Sequence, residues 1–236
     1  MELRIDNLTQ RYRGVTALKG VNTQLRGGDT CLLLGPNGSG KTTLMKLVAG
    51  IASPSSGEIT LDGMSIGPKT KARIAYMPTE NYFYNYMSVR DAGKYYADFF
   101  ADFDLSAYEA RIDRAELDPR AFIRTLSSGM SAKLRLSLIL SRDAQVMMFD
   151  EPINGVDMLT RDWVLDEIAA RRSPDRILLI STHLVEQAER LANCALFLRR
   201  GELVREGAMD ALCRERSLED LYREVYGSRR EEEASC

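Results

Sequence analysis

Gly35-Pro36-Asn37-Gly38-Ser39-Gly40-Lys41-Thr42-Thr43 follows an apolar run at residues 31–34 and precedes a helix-like segment at 44–49. Every fixed position of G-x-x-x-x-G-K-[ST] is met, in the strand–loop–helix order that the pattern requires. Glycines let the backbone turn tightly and aim successive N–H groups inward, and the following helix adds its positive N-terminal end. Such a concavity suits a polyphosphate. Lys41 is placed to reach the β- and γ-phosphates, and the Thr42 hydroxyl to hold Mg²⁺.

On the N-terminal side, short apolar segments alternate with turns: residues 3–5, residues 17–25 with polar interruptions, and Gly27-Gly28-Asp29 just before the strand of the loop. The pattern predicts an antiparallel β region leading into a buried strand. Tyr12 stands in an otherwise polar stretch. Its ring could stack on a base or be half covered by strand neighbours, and spacing alone leaves both readings open. Downstream, a turn at 53–57 leads into a short strand from Glu58, and a strand at 74–77 ends at Pro78. The chain then becomes aromatic: Tyr82, Phe83, Tyr84, Tyr86, Tyr95, Tyr96, Phe99, Phe100 and Phe103. The last five recur at helical spacing and are expected in the core. Residues 82–86 read as a loop whose aromatics suit a partner-binding face.

Residues 88–142 read as helical, with Ser88 as N-cap and a break at Asp118-Pro119. Strands at 146–149, 177–180 and 195–198 then alternate with helices at 160–171 and 184–191. This predicts a mostly parallel sheet flanked by helices and interrupted by a helical insertion. An amphipathic helix at 218–225 and a solvated tail containing Glu231-Glu232-Glu233 are expected to follow.

The length of 236 residues suits one large domain with an inserted subdomain. A hydrophobic share of 44% and a charged share of 28% are those of an ordinary soluble globular chain. The net charge of −2 gives no electrostatic case for nucleic acid as the main ligand. The apolar runs are too short to span a bilayer, so membrane work would need a separate partner. The N-terminus reads directly into a strand without an apolar signal core, which points to the cytoplasm. Cys31, Cys194, Cys213 and Cys236 have neither metal-ligand nor disulfide spacing, and Cys31 is expected to pack as a small core residue.

Three further motifs carry chemistry. Val146-Met147-Met148-Phe149-Asp150-Glu151 is a buried strand ending in two carboxylates. Beside a phosphate loop, Asp150 is placed to hold Mg²⁺ and Glu151 to orient or deprotonate an attacking water. His183, the one histidine, follows another apolar strand, and at such a strand end a γ-phosphate contact is expected. Leu126-Ser127-Ser128-Gly129-Met130 opens an apolar-periodic helix, and its hydroxyls and N–H groups make a second anion-binding helix start.

In this order the motifs resemble those of the ATP-binding subunit of ABC transporters, over essentially the whole chain. Gly35, Pro36, Asn37, Gly38, Ser39, Gly40, Lys41, Thr42 and Thr43 match Walker A; residues 146–151 match Walker B with its catalytic glutamate. Residues 126–130 are similar to the Leu-Ser-Gly-Gly-Gln signature, and Asn154-Gly155-Val156-Asp157 resembles the D-loop. His183 falls on the switch histidine. Tyr12 falls on the adenine-stacking aromatic, which decides between its two readings.

The resemblance implies an α/β fold with a RecA-like P-loop NTPase core, an antiparallel β subdomain and an inserted helical subdomain. Residues 1–86 and 146–226 would form the core, 87–145 the helical subdomain and 227–236 a flexible tail. It also implies a head-to-tail dimer with a second ATP-binding subunit, identical or paralogous, holding ATP and Mg²⁺ between the Walker motifs of one chain and Ser127, Ser128, Gly129 and Asp157 of the other. A membrane permease would receive the motion, with the chain cytoplasmic and peripheral at the inner membrane face.

Two departures from the family pattern stand out. Ser128 occupies one of the two signature glycines and Met130 the glutamine, a change expected to weaken the contact with the partner's γ-phosphate. At the Q-loop, Thr79 aligns with the usual glutamine, while the longer Glu80 is better able to reach Mg²⁺-bound water. Cassettes of antibiotic and peptide exporters depart at the same point, which favours export. The alternative is a soluble ABC-type ATPase acting on a macromolecule, but neither a second cassette nor a long coiled coil is present. A phosphate-loop kinase would leave Glu151, His183 and residues 126–129 as coincidences, and a GTPase would need an Asn-Lys-x-Asp segment that is absent.

Overall fold

The computed structural model describes residues 1–80, 82–84 and 86–227. The chain opens with the hairpin β1 (Glu2–Tyr12) and β2 (Val15–Arg26), then β3 (Thr30–Leu34), which feeds the phosphate loop and α1 (Lys41–Val48). β4 (Ser56–Leu61), β5 (Met64–Ser65), α2 (Pro68–Lys71) and β6 (Ile74–Met77) follow. A helical stretch comes next: α3 (Val89–Phe99), α4 (Leu105–Arg114), a 3₁₀ turn (Ile123–Thr125) and α5 (Ser128–Leu140). The remainder alternates β7 (Val146–Asp150), α6 (Met158–Ala169), β8 (Ile177–Thr182), α7 (Val185–Glu189) and β9 (Cys194–Arg199). It closes with β10 (Glu202–Ala208), α8 (Met209–Leu212) and α9 (Leu218–Gly227). Apart from Gly227, the expected tail lies outside the described residues.

Two sheets result. One is antiparallel in the order β2-β1-β4-β5; the other runs β10-β9-β3-β8-β7-β6, parallel throughout except for β10 at its edge. Every residue of β3, β7 and β8 is buried, as expected for parallel strands covered on both faces. Strand side chains alternate, so each strand serves two cores. Leu32, Leu34, Met147, Phe149, Leu178 and Ile180 face the helices α3–α6. Cys31, Leu33, Val146, Met148, Ile177 and Leu179 face α1 and the antiparallel sheet.

The parallel register brings four strand ends to one edge. Leu34 pairs with Thr182, Asp150 with Ser181, and Met77 with Phe149. The phosphate loop, Asp150-Glu151, His183 and the segment after Met77 therefore emerge side by side.

In α3, Ser88 and Asp91 cap each other reciprocally, with the Asp91 N–H donating 3.1 Å to Ser88 Oγ and the Ser88 N–H donating 3.0 Å to Asp91 Oδ2. Val89, Ala92, Gly93 and Tyr96 form the buried stripe. The expectation that all five later aromatics lie in the core fails for two: Tyr95 and Phe99 are 38% and 66% exposed. The spacing of the five aromatics makes two stripes. Tyr95 and Phe99, one turn apart, pack on each other at 4.6 Å outside the core, while Tyr96 stacks inward with Phe100 and Phe103. The helical stretch also breaks a second time, between α3 and α4, where the Asp104 carboxylate accepts from the Ala107 N–H at 2.9 Å. Among the described residues no helix is long and apolar enough to cross a membrane. Cys31, Cys194 and Cys213 are free thiols, Cys31 fully buried.

Candidate functional site

The phosphate loop is pressed against neighbouring backbone. A Cβ on Gly40, which holds φ 111°, would lie 2.8 Å from the Ala17 carbonyl oxygen and 2.9 Å from Leu18 Cδ2. One on Gly35 would lie 2.4 Å from the Leu198 carbonyl oxygen and 2.5 Å from Ser39 Oγ. Only glycine fits either place. The Ser39 hydroxyl is buried without a hydrogen-bond partner among the described residues, a costly state unless a ligand satisfies it. Lys41 is 6% exposed, and its Nζ donates to the carbonyl oxygens of Gly35 at 2.7 Å and Pro36 at 3.3 Å. Pro36, Asn37 and Gly38 form the exposed rim, and Thr43 is half-buried in the first turn of α1. A cradle of backbone N–H groups with an unsatisfied hydroxyl and one buried cation fits a phosphate chain.

Behind the loop lies a carboxylate pair. Asp150 is fully buried; Ser181 Oγ donates to its Oδ1 at 2.5 Å and the Tyr76 hydroxyl to its Oδ2 at 3.2 Å. Burial and the Asp150 charge both raise the Tyr76 pKa, so the phenol stays protonated as a donor. Glu151 adopts φ 50°, a left-handed conformation uncommon outside glycine. It is held there by its N–H, which donates to the Ser181 carbonyl oxygen at 3.1 Å and to Ser181 Oγ at 3.0 Å. The bend turns the carboxylate back into the site. Oε2 meets His183 Nδ1 at 3.0 Å, and Oε1 lies 3.5 Å from Lys41 Nζ without a hydrogen bond. A carboxylate oriented by an imidazole, with its other oxygen unsaturated, can accept a proton from water.

Thr42, Thr79, Glu80 and Asp150 line one cavity of about 440 Å³, together with Lys46, Tyr76, Pro78 and Tyr82. The Thr79 hydroxyl also donates to the Asp150 carbonyl oxygen at 3.1 Å. Among the described residues no cluster of three His, Cys, Asp or Glu side chains could cage a metal. The all-oxygen donor set nonetheless fits Mg²⁺, which is ordinarily shared between one or two carboxylates, hydroxyls and substrate phosphates.

Other expected site residues stand apart from this cluster. Tyr12, 44% exposed, ends β1 opposite Val15. Ser127 and Ser128 are exposed at the start of α5, where Ser127 Oγ accepts from the Met130 N–H at 3.2 Å. Asp157 caps α6 through the Thr160 N–H at 3.0 Å and the Thr160 hydroxyl at 2.7 Å, bonds that hold its carboxyl below the usual range. Gly129 adjoins it: a Cβ there would lie 3.0 Å from Thr160 Oγ1 and 3.3 Å from Asp157 Oδ2. Among the described residues, no hydrogen bond or ion pair joins this group to the phosphate loop of its own chain. Ser181 and Tyr76 bond to Asp150, and Arg135 bonds to the carbonyls of Pro78 and Thr79, although no motif marks them. Only the paired strand ends after Asp150 and Thr182 hint at Ser181.

A doubly covered parallel sheet with these strand-end motifs defines a phosphate-loop nucleotide-binding protein. The sequence pattern of the ABC transporter family matches residues 18–154. Over 218 residues the chain is 34% identical to the ABC transporter ATP-binding protein YtrB of Bacillus subtilis (strain 168), covering 90% of this chain and 73% of the relative. It is 30% identical to the Nod factor export ATP-binding protein I of Paraburkholderia xenovorans (strain LB400), covering 89% and 72%. A solved ATP-binding subunit of an ABC transporter superposes with a TM-score of 0.85 at 25% identity, covering 95% of this chain and 99% of that one. A dimeric bacterial ABC transporter cassette shares the fold at 18% identity and a TM-score of 0.79, covering 88% and 98%. The chain belongs to the ABC transporter family, as an ATP-binding subunit, and carries the RecA-like P-loop core with an antiparallel sheet that its motifs imply.

Proposed function

We propose that this chain hydrolyses ATP to power a membrane transporter, closing on a second ATP-binding subunit when nucleotide is bound and opening after hydrolysis. The division of labour is a nucleotide core at 1–86 and 146–226 and a helical subdomain at 87–145. The observation that carries this reading is the meeting of Lys41, Glu151 and His183 within 3.5 Å contacts behind a glycine cradle. Lys41 and the loop N–H groups bind the phosphates, with Gly35, Pro36, Asn37, Gly38, Ser39, Gly40, Thr42 and Thr43 forming the cradle. Tyr12 stacks on the base. Glu151 accepts the proton of the attacking water, and His183 holds Glu151 in line and contacts the γ-phosphate. Thr42 and Asp150, with Thr79 or Glu80, would hold Mg²⁺, which when bound would supply charge neutralisation at the phosphates. Ser127, Ser128, Gly129 and Asp157 serve the nucleotide of the second subunit, which is identical or paralogous.

The similarity to a Nod factor export ATP-binding protein favours export as the direction. Exposed Tyr82, Tyr84 and Tyr86 support a docking face for a membrane permease, which would place the chain in the cytoplasm against the membrane. Two measurements test the proposal. Glu151→Gln is expected to bind ATP, accumulate as a dimer on size exclusion and hydrolyse about 10²-fold or more slowly; undiminished turnover would remove Glu151 from the chemistry. Joint replacement of Tyr84 and Tyr86 by alanine is expected to abolish permease co-purification while sparing ATP binding, and intact co-purification would refute the docking face.

A further inference from the structure

Pro78 follows β6 and has no N–H to continue the ladder, so the carbonyls of Pro78 and Thr79 lie beyond the strand pairing and need other partners. Both find the same one. Arg135, in the middle of α5, donates from one guanidinium nitrogen to the Pro78 carbonyl oxygen at 2.9 Å and to the Thr79 carbonyl oxygen at 2.5 Å. Its Nε donates to the Ser131 carbonyl oxygen at 3.4 Å, one turn back along the helix. All three acceptors are backbone carbonyls. From the other side, the Thr79 hydroxyl is tied to the carbonyl of Asp150. The segment is thus clamped between the strand that carries the buried carboxylate and the helix that starts at Ser128.

We propose that Arg135 is a positioning residue: its guanidinium ties α5 to residues 78–80 and sets where Thr79 and Glu80 stand against Asp150 and Thr42. The inference rests on the reading of Thr79 and Glu80 as groups that face Mg²⁺. The chemistry favours a guanidinium here. Its rigid plane lets one nitrogen serve both carbonyls of residues 78 and 79 while Nε stays tied to the Ser131 carbonyl of α5, whereas lysine has a single ammonium on a flexible stem. Arg135 is half-buried, its bond to Pro78 is partly screened from water, and burial lowers its pKa. Arg135 sits on the same helix as Ser127 and Ser128, so any tilt of the signature end is carried through a rigid rod to the metal-facing segment. Its three hydrogen bonds all go to backbone, so it acts on the site through residues 78–80.

The test uses the full chain with Arg135→Gln and Arg135→Lys, each first shown to melt cooperatively. In Arg135→Gln, amide hydrogen exchange at Thr79 and Glu80 in the nucleotide-free protein is expected to quicken about tenfold as the clamp opens. The Mg²⁺ concentration for half-maximal ATPase should rise and kcat should fall, each about tenfold, with KM for ATP within about twofold. Arg135→Lys should recover stability but not the Mg²⁺ requirement. Unchanged exchange in Arg135→Gln, or wild-type Mg²⁺ dependence in Arg135→Lys, would overturn the clamp. A lowered melting temperature with kcat and Mg²⁺ dependence intact would reduce Arg135 to ordinary packing and overturn it too. The underlying reading is judged separately: if Thr79→Ala and Glu80→Gln both leave the Mg²⁺ requirement unmoved, the metal-facing role falls, while the exchange data still decide the clamp.

Discussion

Ser181→Ala isolates one interaction in the site. The Asp150 carboxylate is fully buried and has two donors, Ser181 Oγ at 2.5 Å and the Tyr76 hydroxyl at 3.2 Å. Removal of the shorter, charge-assisted bond leaves Oδ1 desolvated and unpaired, which costs about 1.5–3 kcal/mol. The Glu151 N–H keeps the Ser181 main-chain carbonyl at 3.1 Å, so that second bond is largely spared. The expected loss is therefore about 2 kcal/mol, or roughly 30-fold in the folded-to-unfolded ratio. Trp163, partly buried beneath the Lys133 ammonium at 5.5 Å, is the single tryptophan and reports unfolding by fluorescence. In urea the midpoint should fall with the slope unchanged. In an Asp150→Asn background, where no buried charge is orphaned, the same substitution should cost about 1 kcal/mol less. Equal losses in the two backgrounds, or a midpoint unmoved in the first, would refute the assignment of Ser181 as the donor that sustains the buried carboxylate.

Two further outcomes follow from packing and titration. Gly93→Ala would set a Cβ 2.2 Å from Tyr108 Cε1, where the Tyr108 hydroxyl is anchored to the Val89 carbonyl oxygen at 2.6 Å; a loss of about 1–3 kcal/mol is expected and a melting curve within a degree of wild type would contradict it. Burial pushes the Tyr96 pKa from 10 up to about 12, and Tyr76, Tyr108 and Tyr226 are raised for the same first cause. Above about pH 10 the unfolded chain therefore binds fewer protons than the folded one, so stability present below pH 10 is lost as pH rises through 12. Urea midpoints at pH 8, 10 and 11 should decline in that order, and a flat series would contradict the burial of these phenols.

The fold was legible wherever burial is two-sided. Residues 31–34, 146–149 and 177–180 are continuous apolar runs because both faces of a parallel strand are covered. β1 was seen only at residues 3–5, since Asp6, Asn7, Thr9 and Gln10 interrupt its apolar pattern. Register shifts beyond Ile5 break the period of two that a sequence reading depends on. β10 was missed outright: it is the outer, antiparallel strand, and Glu202, Arg205 and Glu206 give it no buried face to betray it. The aromatic run misled for a related reason, because helical spacing shows that Tyr95 and Phe99 share a face but not whether that face meets the core.

Within the site, contiguous segments were legible and partnerships between segments distant in sequence were not. The phosphate loop, Asp150-Glu151 and His183 each announce themselves because their function requires a local shape at a strand end. Ser181 does not, for its hydroxyl matters only through the pairing of β7 with β8. With Val146 opposite Ile177, Asp150 falls beside Ser181. A slip of one residue would set Ile180 or Thr182 there and turn every side chain of the strand to the other face. The apolar alternation that divides Met147 and Phe149 from Val146 and Met148 between two cores therefore also decides that the buried carboxylate receives its donor. Arg135 depends on one further level, the seating of α5 over the end of β6. Its aliphatic neighbours Leu134 and Leu136 are fully buried and fix the rotation of the helix, and that rotation is what aims the guanidinium at Pro78 and Thr79. The core residues carry this information jointly, which is why no short motif contains it.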